Sequence, residues 1–333
     1  MAEHEITYRE ILAQYIREND EQSLYQGQKF SYRLIEQGVS PEEVVHLHVT
    51  SLLQLYPNLE EELRRSFKFL LEVMIDYGMA YREHQSLKDK QKQLNMEIEL
   101  AASMQKRLLS KEFPNIDCLD IGAISRPASR LNGDYYHFVC DEKEQVSVAI
   151  ADVIGKGIPA TLCMSMIRYA IDSLAQAGMD PNAVLENLNR VVERNIDDSM
   201  FITMFYGLYD SKKHRFFYSS AGHERGFFYR RKTDEVQDIV AKGLVLGVKE
   251  DAQYQNYERS LEEGDMIVLL TDGATECRVG DRFIERHEIT DMIRKHAHLS
   301  AQQMVAEVYK ELERMQKFEL KDDVTLIIMR RIV

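Results

Sequence analysis

The stretch AIADVIGKGIPA at residues 149–160 combines a strand, a carboxylate and a tight turn. The apolar run at 146–151 predicts a buried strand that ends at Asp152. Gly155 and Gly157 then allow the backbone to turn and begin a helix. A carboxylate at the end of a buried strand is costly unless a cation neutralises it. The stretch therefore predicts a cation-binding loop between a strand and a helix.

Other acidic residues stand in the same kind of setting. Asp134 precedes an aromatic strand, Asp272 ends an apolar run, and Asp322 and Asp323 come directly before the final predicted strand. Carboxylate oxygens at rigid strand ends are the ligands that hard divalent cations prefer. The pattern predicts that these sites and Asp152 form one cluster of oxygen ligands.

Composition and charge narrow the class of protein. The chain has 333 residues, enough for two domains, with 44% hydrophobic and 29% charged residues, as in soluble globular proteins. Its net charge of −13 argues against a nucleic-acid or anionic-membrane binder. The four cysteines have no metal-binding spacing, no apolar run reaches the ~18 residues of a membrane span, and residues 1–5 do not resemble a signal peptide. We expect a cytoplasmic protein with reduced thiols.

Residues 1–84 predict a helical domain. Apolar residues recur at helical spacing, and Ser40, Pro41 and Glu43 form a helix-start signal with a capping box. Four helices joined by short turns predict a small four-helix bundle. His46 and His48 are two residues apart and point to different helix faces, so they cannot share a metal. A bundle without catalytic residues is typical of a partner-binding or dimerisation domain.

Residues 85–112 predict a helical linker, because no glycine or proline interrupts the polar sequence before Pro114. A seven-residue pattern runs through it. One seam position holds Leu87, Leu94, Ala101 and Leu108, and the other holds Gln91, Ile98 and Gln105. Two glutamines in a three-heptad seam predict a weak coiled coil, suited to a conditional dimer helix. A solvated helix that merely connects two domains is the alternative interpretation.

Residues 118–333 alternate between strand and helix patterns, which predicts an α+β domain of two antiparallel sheets flanked by helices. The predicted strands are 120–125, 135–139, 146–151, 202–209, 215–220, 226–230, 266–271 and 324–329. The predicted helices are 158–176, 181–194 and 301–316.

The motifs of this region resemble those of the PPM (2C-type) metal-dependent protein phosphatases, in the bacterial branch that acts on anti-anti-sigma factors. In family order they are Asn132-Gly133-Asp134, Ala151-Asp152-Val153-Ile154-Gly155-Lys156-Gly157, Ser220-Ala221-Gly222-His223, Gly243-Leu244-Val245-Leu246-Gly247, Thr271-Asp272-Gly273 and Asp322-Asp323-Val324-Thr325. The resemblance covers residues 118–333 and implies a PPM-type β-sandwich.

The resemblance also implies a role for each acidic residue. Asp152 would bridge two Mn²⁺ or Mg²⁺ ions, and the carbonyl of Val153 would bind one of them. Asp272 and the Asp322-Asp323 pair would complete the ligand set of the other ion, with Asp322 in the family's ligand position. Asp134 matches an acidic residue that holds a metal-bound water. The implied catalytic set is Asp134, Asp152, Asp272 and Asp322.

The function implied is removal of phosphate from serine or threonine, since two cations lower the pKa of a shared water and neutralise phosphoryl oxygens. The implied substrate is a phosphorylated, RsbV-like anti-anti-sigma factor in a stress-response pathway. The implied activator is an RsbT-like protein bound to the N-terminal domain of a homodimer. Two alternatives remain: an interaction protein that keeps the fold without the chemistry, and a phosphatase with a different substrate.

Three further residues fit two roles each. His223 suits a general acid or a structural histidine in a turn. Arg126 and Arg130 lie upstream of Asp134 and suit either phosphate binding or simple exposure in a loop. The chain also departs from the family pattern at Asn132, where glycine is common, and at Glu224, where proline is common.

Overall fold

A computed structural model describes residues 2–109, 113–154, 158–196, 200–279, 282–316 and 320–333. The chain forms two compact units, Met1–Asn95 and Met96–Val333. In the described part of the chain, no helix has the length and apolarity that a membrane span requires. The predicted turn at Gly155 and Gly157 lies outside the described residues.

The first unit is helical, as predicted. Its helices are α1 (Ala2–Glu18), α2 (Glu21–Glu36), α3 (Pro41–Leu55) and the first part of α4 (Glu61–Leu108). The capping box at the start of α3 is confirmed, because the Ser40 N–H donates to Glu43 Oε2 at 2.8 Å. The core of this unit is small and centres on Phe30, Leu34 and Leu47. No break separates the fourth helix from the first part of the predicted linker, since α4 is continuous from Glu61 to Leu108.

The second unit contains two five-stranded antiparallel sheets. The strands are β1 (Leu119–Arg126), β2 (Asp134–Cys140), β3 (Gln145–Ile154), β4 (Phe201–Asp210), β5 (Arg215–Ala221), β6 (Gly226–Arg230), β7 (Glu235–Ile239), β8 (Tyr257–Ser260), β9 (Met266–Leu270), β10 (Arg278–Val279), β11 (Arg282–Phe283) and β12 (Val324–Arg331). One sheet has the order β1-β12-β9-β6-β7 and the other β2-β3-β4-β5-β8, while β10 and β11 form a separate short pair.

Helices cover the outer faces of both sheets. They are α5 (Ile158–Gln176), α6 (Pro181–Asn195), α7 (Asp272–Thr275), α8 (Arg286–His296) and α9 (Ala301–Met315). One apolar cluster joins α5 and α6 to β2, β3 and β4, and a second joins α8 and α9 to β6, β9 and β12. A third cluster fills the space between the two sheets. The predicted α+β sandwich of two antiparallel sheets flanked by helices is confirmed.

Some elements of this unit were not predicted. Strands β7 and β8 lie at the edges of the two sheets, and exposed residues alternate along them with residues that are mostly only partly buried. Such short, polar edge strands lack the apolar run that identifies the central strands. Helix α8 was also missed, although its capping box joins Glu285 and Glu288. These elements complete the sandwich without contributing any of the predicted site residues.

Candidate active site

The register of β2 and β3 brings the first two predicted site residues together. Asp134 begins β2 and lies directly opposite Asp152 on β3. Asp134 is buried, whereas Asp152 is only partly buried. Residues opposite each other in an antiparallel pair have Cβ atoms about 4.5–5.5 Å apart. Both carboxylates therefore belong to one small region at this end of the sheet.

A cradle of oxygen atoms surrounds Gly133. A Cβ built on this glycine would lie 3.1 Å from Asp152 Oδ1, 3.3 Å from Asp323 Oδ2 and 3.4 Å from the Val153 carbonyl oxygen. The Val153 N–H also donates to the Gly133 carbonyl at 3.0 Å, which fixes β3 against this loop. The lack of a side chain at Gly133 keeps the space between two carboxylates and one carbonyl open.

Asp322 and Asp323 are adjacent but lie in different environments. Asp323 is buried and its carboxylate accepts backbone N–H groups from Ala128, at 2.7 Å, and from Gly133. Asp322 is exposed, and its Oδ1 accepts the Asp323 N–H at 3.0 Å. The loop before β2 is thus tied to the start of β12 through Asp323, while Asp322 faces outward.

Asp272 begins the short helix α7, directly after β9. The next residue, Gly273, packs so closely on β12 that an added Cβ would collide with the Asp323 carbonyl oxygen. This close approach places Asp272 near Asp322, and burial raises the pKa of Asp272, with the like charge of Asp322 raising it further. Glycine is therefore required at position 273 to join the two acidic segments.

A chain of buried hydrogen bonds links Asp134 to both sheets. Thr271 Oγ1 donates to Asp134 Oδ2 at 2.7 Å and accepts the Thr325 N–H at 2.9 Å. Thr325 Oγ1 donates to Ser125 Oγ at 2.9 Å, and Asn132 Nδ2 donates to the same hydroxyl at 2.8 Å. The Asp134 N–H donates to Asn132 Oδ1 at 2.9 Å, which closes the ring. The asparagine that departs from the family pattern is thus part of the support for the site.

Burial and neighbouring negative charges raise the pKa of acidic residues in the site. Burial raises the pKa of Asp134 well above its ordinary value, and the nearby Asp152 and Asp323 raise it further, against hydrogen bonds from Thr271 and Thr325. Burial is also the main cause of the raised pKa of Asp272. Buried carboxylates beside a carbonyl oxygen fit a hard divalent cation. Across the described ranges, no three acidic, histidine or cysteine side chains alone form a metal-binding group.

His223 is buried beside this cluster. Its Nδ1 is 2.9 Å from Thr203 Oγ1, and Thr203 lies opposite Asp152 on β4. Burial lowers the pKa of His223 to about 4. A histidine with this pKa is neutral at pH 7, which favours the structural role over the general acid.

The two arginines considered for phosphate binding are both exposed. Arg126 lies over the ring of Tyr309, 6.0 Å from its centroid. Arg130 Nη1 is 3.9 Å from Glu99 Oε1 on α4. In these positions each arginine has a neighbour outside the carboxylate cluster.

The residue that replaces the family's common proline, Glu224, also has a defined partner. Arg286 donates to Glu224 Oε1 at 2.6 Å and to Asp238 Oδ1 at 3.2 Å. Its guanidinium also lies over the Phe227 ring, 4.3 Å from the centroid. An ion pair between Glu224 and Arg286 therefore holds the loop after His223 against α8, at the position where the family commonly has a proline.

Several supporting residues were not identified from the sequence. Thr271, Thr325 and Ser125 hold Asp134 and Asn132 through side-chain hydroxyls. The two threonines lie within motifs that contain the predicted ligands, so their position in the motif was the available signal. Ser125 ends a predicted strand and has no such signal.

Comparison with known proteins identifies relatives of both the N-terminal and the C-terminal part of the chain. The family model for stage II sporulation protein E (SpoIIE) matches residues 142–332, and the model for the N-terminal domain of phosphoserine phosphatase RsbU matches residues 6–80. The chain is 54% identical over 324 residues to phosphoserine phosphatase RsbU of Bacillus subtilis, covering 97% of this chain and 96% of that protein.

Solved structures share the fold of the second unit. The SiaA-PP2C domain of Pseudomonas aeruginosa matches with a TM-score of 0.63 and 21% identity, covering 72% of this chain and 98% of that chain. RsbX in complex with magnesium matches with a TM-score of 0.50 and 20% identity, covering 66% of this chain and 98% of that chain. Together with the high identity to RsbU, these findings show that the chain belongs to the RsbU family of phosphoserine phosphatases, with a catalytic domain of PP2C fold.

Proposed function

We propose that this phosphatase acts on a phosphorylated, RsbV-like anti-anti-sigma factor and uses two Mn²⁺ or Mg²⁺ ions. The observation that carries the proposal is the oxygen cradle formed by Asp152, Val153 and Asp323 beside the buried Asp134. The family match supports a phosphoserine substrate, because the B. subtilis relative is a phosphoserine phosphatase. The solved RsbX structure contains magnesium, which suits the same kind of donor set.

Each acidic residue has a distinct task in this proposal. Asp152 and the Val153 carbonyl would bind a divalent cation at the cradle, and Asp272 and Asp322 would bind one on the α7 side. Asp134, held by Thr271, orients water, while Asp323 keeps the loop before β2 in place. When bound, divalent cations supply Lewis-acid charge that lowers the pKa of a water and offsets phosphoryl charge. The carboxylates therefore supply binding and orientation, and no side chain acts as the nucleophile.

The helical N-terminal domain gives the enzyme a means of regulation. We infer that it binds an RsbT-like activator and that α4 pairs with its counterpart in a homodimer. The match to the RsbU N-terminal domain supports the first part. Leu87 and Leu94, at the predicted seam of α4, are 58% and 48% exposed, which leaves an apolar stripe for a second helix.

Phosphate release from a serine-phosphorylated anti-anti-sigma factor tests this proposal directly. We expect Mn²⁺-dependent release that the activator stimulates and that Asp152→Asn abolishes. Equal release with and without the activator would contradict the regulatory part while leaving the phosphatase in place. Release from a small phosphate ester at the same efficiency as from the phosphoprotein would contradict the proposed substrate class.

A further inference from the structure

The last turn of α4 carries a buried glutamine, Gln105, that is only 3% exposed. Its Nε2 donates to the Asn132 carbonyl oxygen at 2.6 Å, and its Oε1 accepts the Asn132 N–H at 2.8 Å. The side-chain amide therefore pairs with both backbone groups of a single residue, as a neighbouring strand would. Nε2 also lies 3.2 Å from Met164 Sδ, on α5.

Asn132 connects this contact to the oxygen cradle. The next residue, Gly133, donates its N–H to Asp323 and accepts the Val153 N–H through its carbonyl. The Asn132 side chain accepts the Asp134 N–H and reaches Ser125. A displacement of the Asn132 backbone would therefore move the groups that set the positions of Asp134 and Asp323.

A second contact fixes the end of the same helix. Arg168, on α5, donates from Nη1 to the carbonyl oxygens of Arg107 at 3.0 Å and Leu108 at 2.6 Å. These carbonyls have no partner within the helix, so the arginine acts as a cap. Leu108 also packs against the core beneath α5. The two contacts fix the position of the last turn of α4 along the helix axis and its rotation about that axis.

The rotation matters because Gln105 occupies a predicted seam position. Successive residues of a helix differ by about 100° around its axis. A rotation of α4 by this angle would therefore turn Gln105 away from Asn132. Without Gln105, the N–H and carbonyl of Asn132, which is 5% exposed, would lose their partners. Leaving buried backbone groups unpaired is unfavourable, and the loop would be expected to shift.

We propose that Gln105 is a positioning residue that couples the rotation of α4 to the metal affinity of the active site. It acts through the Asn132 backbone and touches no predicted ligand. The proposal rests on the function proposed above, because it assumes that Asp152, Val153 and their neighbours bind divalent cations. It also gives the seam glutamine a task other than weakening a coiled coil.

Gln91 provides a matched control for the test. It holds the same seam position two heptads earlier, but its side chain is exposed and bonds only locally, with Nε2 3.3 Å from Asn95 Oδ1. Methionine is close to glutamine in volume and lacks the amide, so Gln105→Met and Gln91→Met change the seam in the same way. A difference between them then reports the contact with Asn132.

The experiment compares both variants with the wild-type chain. Hydrogen exchange measures protection of the Asn132 and Gly133 amides, and isothermal titration measures Mn²⁺ binding. We expect Gln105→Met to accelerate exchange at both amides and to weaken Mn²⁺ binding about tenfold. We expect kcat at saturating Mn²⁺ to change less than about threefold, because the ligands themselves are intact. Unchanged exchange at Val148, in the core, would show that the variant is folded.

Two results would overturn the proposal. One is unchanged exchange and unchanged Mn²⁺ binding in Gln105→Met. The other is an equal loss of Mn²⁺ affinity in Gln91→Met, which would assign the effect to the seam. If the wild-type chain bound Mn²⁺ but released no phosphate, the proposed function would fail, while the exchange and titration results would still decide the role of Gln105.

Discussion

Asp134 and Asp152 face each other across the β2–β3 ladder, and burial together with the negative charge of Asp152 raises the pKa of Asp134. Two carboxylates placed in this way destabilise the folded chain unless positive charge is added. This relationship explains why removing one charge is expected to affect stability and catalysis in opposite directions.

The first prediction concerns Asp152→Asn. We expect phosphate release to fall about a hundredfold or more, because the change removes a carboxylate that we propose as a metal ligand. We expect the metal-free protein to be as stable as wild type or more stable, because like-charge repulsion with Asp134 decreases. Steady-state kinetics and urea unfolding in chelator measure the two effects. Asp251→Asn, which alters an exposed carboxylate, is the control, and a similar loss of activity there would contradict the assignment.

The second prediction concerns metal binding without turnover. Mn²⁺ that binds the folded chain only should stabilise it by about 2.7 kcal/mol at one hundred times its Kd. Differential scanning calorimetry should therefore show a higher Tm with Mn²⁺ than with chelator for wild type. The increase should be much smaller for Asp152→Asn. An equal increase in the two proteins would place the bound Mn²⁺ elsewhere.

The third prediction concerns Thr271→Val. The change removes the donor to Asp134 Oδ2 and the acceptor of the Thr325 N–H, both buried. We expect the free energy of unfolding to fall by about 1–3 kcal/mol, as for other buried polar groups left without a partner. Urea unfolding measures it. Thr233→Val, at an exposed position, is the control, and an equal cost there would show that the buried hydroxyl contributes nothing.

The fourth prediction concerns the pH dependence of stability. Burial lowers the pKa of His223 from 6.5 to about 4, so between these values the unfolded chain binds a proton that the folded chain does not. His223 therefore costs no stability above pH 6.5, and stability decreases as the pH falls, by about 1.4 kcal/mol per unit. The difference in unfolding free energy between wild type and His223→Gln should change by roughly 3 kcal/mol from pH 6.5 to pH 4. A constant difference would contradict burial of a neutral histidine.

The central elements of the fold could be predicted because local pattern determines them. Helix α5 has the predicted bounds, Ile158–Gln176, since an amphipathic stripe marks its whole length. Edge strands such as β8 were missed because their burial comes from neighbours distant in sequence. Apolar periodicity predicts which residues pack against another layer of the fold. It therefore predicts the central strands of a sheet better than the edge strands.

The candidate site, like the fold, could be predicted from the sequence only in part. Asp134 begins β2, and Asp152 and Asp272 lie within two residues of the ends of β3 and β9, which the sequence marks clearly. The different surroundings of Asp322 and Asp323 could not be predicted, because adjacent residues in a turn carry no period that separates an exposed side chain from a buried one. The heptad position of Gln105 predicts a seam residue, whereas its partner Asn132 lies 27 residues away in the loop before β2.

The position of β12 between β1 and β9 has a consequence for the synthesis of the protein. Asp134 and Asp152 emerge from the ribosome early, but Asp322 and Thr325 follow only after the chain between them. At about 5–20 residues per second, this interval is roughly 10–40 s. During it one sheet lacks an inner strand, and Ser125 lacks its hydroxyl partner from Thr325. The ring of hydrogen bonds that supports Asp134 is therefore open at Thr325 until β12 has been inserted.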